Sequence, residues 1–285
     1  MLKLATEIKL VKNTAYQLSR KSFRKKDYKN FFKPIDYTRT AEIPAIIFDS
    51  DILSLKENEL KILDISSPQI LSISLAQFSK KWQLDYINSF QPELDEMNNL
   101  AKTLQLNNIT TQIIDITRFN DLDRISEKYD FIFSSSVFEH IYPEENGDIL
   151  AIKNMLGLLK PRGKLILSVP FYFSSFNEYK YGDVYHIKGQ NGKKSFFQRF
   201  YDEQSLYQRL VHPSGLIPES QLFIGEKYYF QKNIKKRIAQ KLQSRFSAII
   251  LGKLFFFISS IFFTYSKNYK ELKKPYIAIL TLRKN

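Results

Sequence analysis

The 285-residue sequence predicts an α/β fold: a parallel sheet with helices on both faces and a final antiparallel strand. Three observations carry that prediction. Between Lys61 and Val169, short runs that are wholly apolar alternate with longer segments at helical spacing, the pattern of buried parallel strands joined by crossover helices. Two more strand-like runs, Gln221-Leu-Phe-Ile-Gly and Tyr276-Ile-Ala-Ile-Leu-Thr-Leu, stand near the C-terminus and suit a closing antiparallel pair. A hydrophobic share of 44%, spread evenly, is enough for a real core.

The elements follow in order. Residues 1–33 read as a basic amphipathic helix and a charged loop, ended by Pro34. A helix-like stretch from Ala41 (AEIPAIIFDSDILSL) leads to the polar turn at Lys56. Lys61-Ile-Leu-Asp-Ile is a buried strand, and Gln69 to Phe78 a helix with Ile70, Leu71, Ile73, Ser74, Leu75 and Phe78 inward. Trp82 to Ile87 is a second strand; Pro92 to Leu106 is a helix carried by Leu94, Met97, Leu100, Ala101 and Leu104. Ile109 to Ile116 forms a third strand and Phe131-Ile-Phe-Ser a fourth. A helix from Gly147 to Leu159 stops at Lys160-Pro-Arg-Gly, and Lys164 to Val169 is the fifth strand, ended by Pro170. The expected organisation is an N-terminal extension (1–40), a core (41–230), a basic and apolar helical insertion (231–270) and a last core strand (271–285).

In a Rossmann-like sheet of this kind, ligands bind beyond the carboxyl ends of the strands, so the residues to read are those that follow each run. Asp64-Ile-Ser-Ser-Pro-Gln follows the first. Asp85 lies late in the second, where a carboxylate suits a ribose; Asn88 takes that place if the register slips. Asp115 ends the third run and could accept from an exocyclic amine. The fourth runs into Ser134-Ser135. A plainer reading of Asp64 and Asp115 is that each caps the helix after it.

The stretch Tyr129-Asp-Phe-Ile-Phe-Ser-Ser-Ser-Val-Phe-Glu-His-Ile resembles the "YDxVxSxxVLEHI" motif of class I S-adenosylmethionine-dependent methyltransferases. Further on, Met155-Leu-Gly-Leu-Leu-Lys-Pro-Arg-Gly-Lys-Leu-Ile-Leu-Ser-Val-Pro-Phe is similar to their "LKPGGxLxxSVPF" segment. Order and spacing match across residues 42–173, closest to the small-molecule and sugar type (methyltransferase type 11-like). The resemblance implies S-adenosylmethionine as cofactor. It places Asp64, Ser66 and Ser67 against the methionine part, Asp85 on the ribose, Asp115 with Ile116 at adenine, and Ser134 and Ser135 beside the sulfonium. One departure stands out. The family's "DxGxGxG" loop contains no glycine here, and serine takes a positive φ only at a cost, so the loop is either a tolerated variant or a decayed cofactor site.

A sulfonium methyl is already activated, so what the enzyme must mainly supply is in-line placement, with a general base useful for a hydroxyl acceptor. Of the three histidines, His140 and His186 flank the expected acceptor side and rank above Glu178 and Asp183, whereas His212 reads as a loop residue. No cysteine is present, which excludes disulfides, thiolate zinc sites and a cysteine nucleophile; no metal is expected.

Lys and Arg number 43 against 29 acidic residues, a formal charge of +14 that favours anionic partners. Much of the positive charge crowds into residues 9–33 and 227–245, the second run leading into the apolar stretch Phe246 to Tyr265 with Lys253 as its single charge. That pattern reads as an in-plane or re-entrant anchor at an anionic membrane surface, or else as a helix packed on the domain or in a homodimer. The expected protein is therefore cytoplasmic and peripheral at the membrane, methylating a small or lipid-linked acceptor, with a sugar or glycan hydroxyl foremost. An RNA methyltransferase is a weaker alternative: no RNA-binding module or "NPPY"-type tetrapeptide is evident, and a nucleic-acid partner is not expected. A non-catalytic relative of the fold is the third reading.

Overall fold

The computed structural model describes residues 4–24, 38–122, 124–126, 128–182, 193–227, 256 and 261–285. Ten strands and the helices between them are β1 (Leu60–Ile65), β2 (Trp82–Asn88), β3 (Ile109–Ile113), β4 (Tyr129–Ser135), β5 (Leu159–Pro170), β6 (Phe176–Tyr181), β7 (Lys194–Phe200), β8 (Ile217–Glu226), β9 (Phe263–Ser266) and β10 (Pro275–Arg283). Among the described residues, the α-helices of four residues or more are α1 (Ala5–Arg24), α2 (Arg39–Ser50), α3 (Ile70–Phe78), α4 (Gln91–Leu104), α5 (Phe119–Leu122), α6 (Gly147–Met155) and α7 (Glu203–Leu206).

Eight strands form one sheet in the order β3-β2-β1-β4-β5-β10-β8-β9. The first five are parallel, with Asp64 of β1 opposite Tyr86 on one side and Phe133 on the other. β10 enters antiparallel between β5 and β8, with Ile279 opposite Ser168 and Leu222. The five alternating apolar runs thus form the parallel half, and the two C-terminal runs its antiparallel close. Strand order reverses between β1 and β4, which fixes where a ligand cleft belongs.

Apolar clusters cover both faces. One gathers Ile62, Trp82, Phe131, Phe133 and Ile279 with α1 to α4; the other gathers Leu63, Ile132, Leu165 and Leu167 with α6. Residues 70–76 of α3 are all buried because α1 lies over the side a surface helix would leave wet. Val11, Ala15 and Leu18 supply that cover, and Thr14 Oγ1 donates to Gln77 Oε1 at 2.8 Å. The apolar side of the basic N-terminal helix is spent on this core.

Four local expectations are corrected. β3 stops at Ile113, short of Ile116, because the Asp115 backbone N–H turns to Asp121 Oδ2 at 3.2 Å instead of a strand. α6 ends at Met155, and β5 already begins at Leu159, so Lys160–Gly163 is a kink inside a strand, not a helix stop. There Arg162 has φ 62°, and a Cβ on Gly163 would meet Tyr129 O at 2.9 Å. The tail of the expected apolar helix, Phe263 to Tyr265, belongs to β9, which gives β8 an antiparallel neighbour and buries Phe263. The two-stranded β6–β7 sheet has no counterpart among the expected elements. Most of residues 231–270 lies outside the described residues; among those described, no helix is long and apolar enough to cross a membrane.

Candidate active site

Each rim residue derives its position from the strand that precedes it. β1 ends one residue after Asp64, and the chain must then reverse into α3 within a few residues. Asp64, fully buried, accepts from the Ser67 backbone N–H at 3.1 Å and from the Ser72 hydroxyl. Burial pushes its carboxyl up to about 6 despite those donors. Ser66 makes the turn with φ 53°, its N–H and hydroxyl both donating to Ile87 O at 2.9 and 3.1 Å. This is the position of the first glycine in the loop that the sequence resembles. Arg162 likewise holds a left-handed conformation where the later motif has glycine. The glycine-type backbone persists without the glycine.

Of the five non-glycine residues with positive φ among the described residues, Asp51 and Gln105 are helix C-caps and Arg162 sits in the β5 kink. The remaining two, Ser66 and Ser136, occupy the ends of β1 and β4 on either side of the switch point. Left-handed backbone costs an L-residue about 1–2 kcal/mol. Ser66→Val should therefore lower stability by about 1–2 kcal/mol, while Ser66→Gly should be neutral or stabilising; urea midpoints of the two variants check this.

A second layer of polar contacts ties the strand ends together. The Ser135 backbone N–H donates to Ser67 Oγ at 2.8 Å, and Tyr86 donates its hydroxyl proton to Ser67 O at 3.0 Å. The Ser135, Ser136 and Ser168 hydroxyls all donate to Glu42 Oε1, at 3.0, 2.7 and 2.6 Å, while Arg39 pairs with Glu42 Oε2. Burial alone would raise the Glu42 carboxyl, but Arg39 and the seryl donors outweigh it and hold the group below its ordinary value. Glu42 is a residue that sequence reading missed. Its signal was indirect: serines at the ends of two buried strands need an acceptor.

The candidate residues divide into scaffold and surface. Asp64, Ser67, Ser134 and Ser135 are buried beneath the rim and shape it. Ser66, Asn88, Asp115 and Ser136 are partly exposed at it. Asp115 folds onto its own turn, accepting from Thr117 N–H at 3.0 Å and Thr117 Oγ1 at 2.7 Å, with Arg118 Nε 3.4 Å away. Ile116 is buried, and its carbonyl accepts from Asn154 at 2.9 Å. Asp85 lies mid-strand, where it accepts from the Tyr129 hydroxyl at 2.8 Å and from Thr110; the strand end belongs to Asn88. Asp64 and Asp115 lie at the same, carboxyl-terminal end of the parallel strands, Asp64 beneath the rim and Asp115 on it.

Beyond β4 the chain makes a tight turn through Glu139 and His140. His140 Nδ1 lies 2.7 Å from Phe197 O, an acceptor only, so Nδ1 carries the proton of the neutral ring and Nε2 the lone pair. Nε2 is 3.7 Å from Glu139 Oε1. Burial, helped by the cations Arg39, Lys180 and Arg199 and opposed by the Phe197 contact, lowers His140 to about 4. Glu139, also buried, is pushed up to about 8 by desolvation, with the Glu42 charge adding. At neutral pH the pair is a carboxylic acid beside a neutral imidazole, titrating far apart. His186 and Asp183 lie outside the described residues; Glu178 accepts from Gln198 at 2.6 Å, and His212 is exposed.

No protein-family model matches the chain, and no curated protein sequence matches it. Solved structures do. One is coclaurine N-methyltransferase bound to N-methylheliamine and SAH, at 15% identity and TM-score 0.55, with 86% of this chain and 73% of that one covered. Another is the [4+2]-cyclase SpnF, at 15% identity and TM-score 0.51, with 83% and 80% covered. The fold is that of the class I S-adenosylmethionine-dependent methyltransferases.

Proposed function

We propose that this fold and rim serve S-adenosylmethionine-dependent methyl transfer to a small acceptor, with a hydroxyl of a sugar or lipid-linked glycan intermediate as target. The observation that carries the reading is the pair of left-handed turns, Ser66 and Ser136, flanking the switch point above buried Asp64. The donor set fits a nucleoside-bearing ligand. Ser66 and Ser136 offer small hydroxyls that leave room for close approach, Asn88 an amide and Asp115 a carboxylate, for ribose hydroxyls and an exocyclic amine.

Bound there, S-adenosylmethionine supplies a methyl group that is already activated. The chain's own work is to hold the acceptor in line and to take up its proton. His140 suits the role of proton acceptor. Its own proton is held on Nδ1 toward Phe197 O, so Nε2 is the basic atom, and its depressed pKa keeps it unprotonated at neutral pH. A base with so low a pKa pulls weakly, which leaves in-line placement of the acceptor as the chain's larger contribution. For the membrane, the support is the run of lysines and arginines in residues 227–245 beside the apolar stretch that follows; the protein is read as cytoplasmic and peripheral.

Isothermal titration with S-adenosylmethionine tests the core of this reading. Binding is expected, and Asp115→Ala, which removes the partly exposed rim carboxylate, should weaken it by about tenfold, the worth of a charge-assisted hydrogen bond, with a cooperative melting curve retained. Absence of binding at millimolar cofactor would sink the enzyme assignment and favour a non-catalytic role for the fold.

A further inference from the structure

Arg199 sits on β7 and is 3% exposed. Its guanidinium faces the turn after β4. Nη1 donates to Ile141 O at 2.8 Å and lies 3.4 Å from both Phe138 O and Glu139 O. Nη2 donates to Pro143 O at 2.7 Å and Nε to Glu144 O at 3.1 Å. The carbonyls of one irregular stretch, Phe138 to Glu144, thus converge on a single side chain, and a planar fork of five N–H donors can serve them together. The carboxylate of Asp148, 3.8 Å away, keeps the charge compensated.

The same strand grips the same turn a second time, through Phe197 O and His140 Nδ1. From the other side α6 closes so tightly that a Cβ on Gly147 would lie 2.6 Å from Ile141 O. β7 therefore holds the Glu139–His140 turn by a main-chain acceptor at 197 and a side-chain donor at 199.

We propose that Arg199 is a positioning residue for His140: it locks the β6–β7 hairpin and the turn after β4 into one unit, so that the imidazole's orientation is set by β7. This rests on the reading of His140 as the proton acceptor. A merely structural arginine would satisfy the same carbonyls without governing the ring, and the two roles give different spectra.

The charged groups facing His140 are Glu139 on its own turn, Arg39 from α2, Lys180 from β6 and Arg199 from β7. In nitrogen-detected NMR of the full chain, with His140→Gln identifying the signal, the His140 Nδ1 proton should be visible and slowly exchanging. In Arg199→Lys, which keeps a charge and loses the fork, that proton should exchange at least tenfold faster. Lys180→Met, which removes a charge without touching the turn, should raise the titration midpoint while leaving the Nδ1 proton protected. In the unaltered protein, Arg199 Nε–H and His140 Nδ1–H should exchange with the same dependence on urea, as members of one opening unit. An unchanged His140 signal in Arg199→Lys, or separate urea dependences, would overturn the proposal. Either failure would leave cofactor binding by calorimetry intact, whereas loss of cofactor binding would leave the coupling standing and remove only its catalytic meaning.

Discussion

Replacing Glu42 by leucine is expected to destabilise the protein by about 3–5 kcal/mol, the cost of removing one partner from a buried charged network. The magnitude follows from what the carboxylate does. One oxygen satisfies the hydroxyls of Ser135, Ser136 and Ser168, and the other pairs with Arg39, all around a group with no exposure. Leucine removes the shared acceptor of three hydroxyls and the carboxylate that Arg39 pairs with. Glu42→Gln keeps an acceptor but not the charge, and should lose roughly half as much. Urea denaturation at neutral pH measures both. A loss below about 1 kcal/mol for Glu42→Leu would mean that the strand ends are held by something other than this network.

Stability should also fall as pH rises from about 6.5 to 8, and Glu139→Gln should remove that fall. Burial first, with the Glu42 charge adding, pushes Glu139 up to about 8 from an ordinary 4.5. An unfolded chain releases this proton near 4.5 and the folded one near 8, so the stability tied to it is complete at low pH and is lost as pH climbs through that window. At about 1.4 kcal/mol per unit the whole window is worth at most about 4–5 kcal/mol. His140 acts in the opposite sense. Lowered to about 4 from 6.5, it contributes stability that is complete above 6.5 and lost as pH falls toward 4. The two slopes oppose each other between 4.5 and 6.5 and leave Glu139 acting alone above that. Denaturant midpoints across about pH 6 to 8.5 give the comparison. A wild-type profile that is flat there would show the buried acid to be ionised already. Glu42 lies close enough to bias Glu139, so the two substitutions should not be additive.

Much of the scaffold was legible because buried parallel strands have a signature that survives any surrounding detail. Leu63, Ile65, Ile132 and Leu167 are apolar on consecutive or alternate positions, since both faces of the sheet are covered. Strand ends were less legible. Asp85 and Asn88 are both plausible rim residues by spacing, and only the pairing of β2 with β1 and β3 shows that Asn88 holds the end. The hydrogen bond from Asp115 to Asp121 stops β3 early and leaves no periodicity to read. The β6–β7 hairpin mixes aromatic, polar and charged residues without a buried stripe of period two, so its pattern was silent.

The glycine-poor loop is the instructive case. Composition alone left open whether Asp64-Ile-Ser-Ser-Pro-Gln could still make the turn. The backbone makes it, with Ser66 tied to Ile87 O by two bonds that help offset an unfavourable φ. Hydrogen bonds formed across strands decided a question that local propensity posed.

From its sequence alone this protein had a determined class of fold, two motifs in order and spacing, and the strand ends after which Asp64 and Asp115 lie. Those depend on periodicity and on residues close together along the chain. Which groups sit at the surface of the rim, and which are sunk beneath it, was decided only by tertiary structure. Glu42 reaches Ser168 across 126 positions, and Arg199 reaches Ile141 across 58. Contacts of that span are set by burial, where a polar group left without a partner costs free energy, and no local pattern records who the partner is.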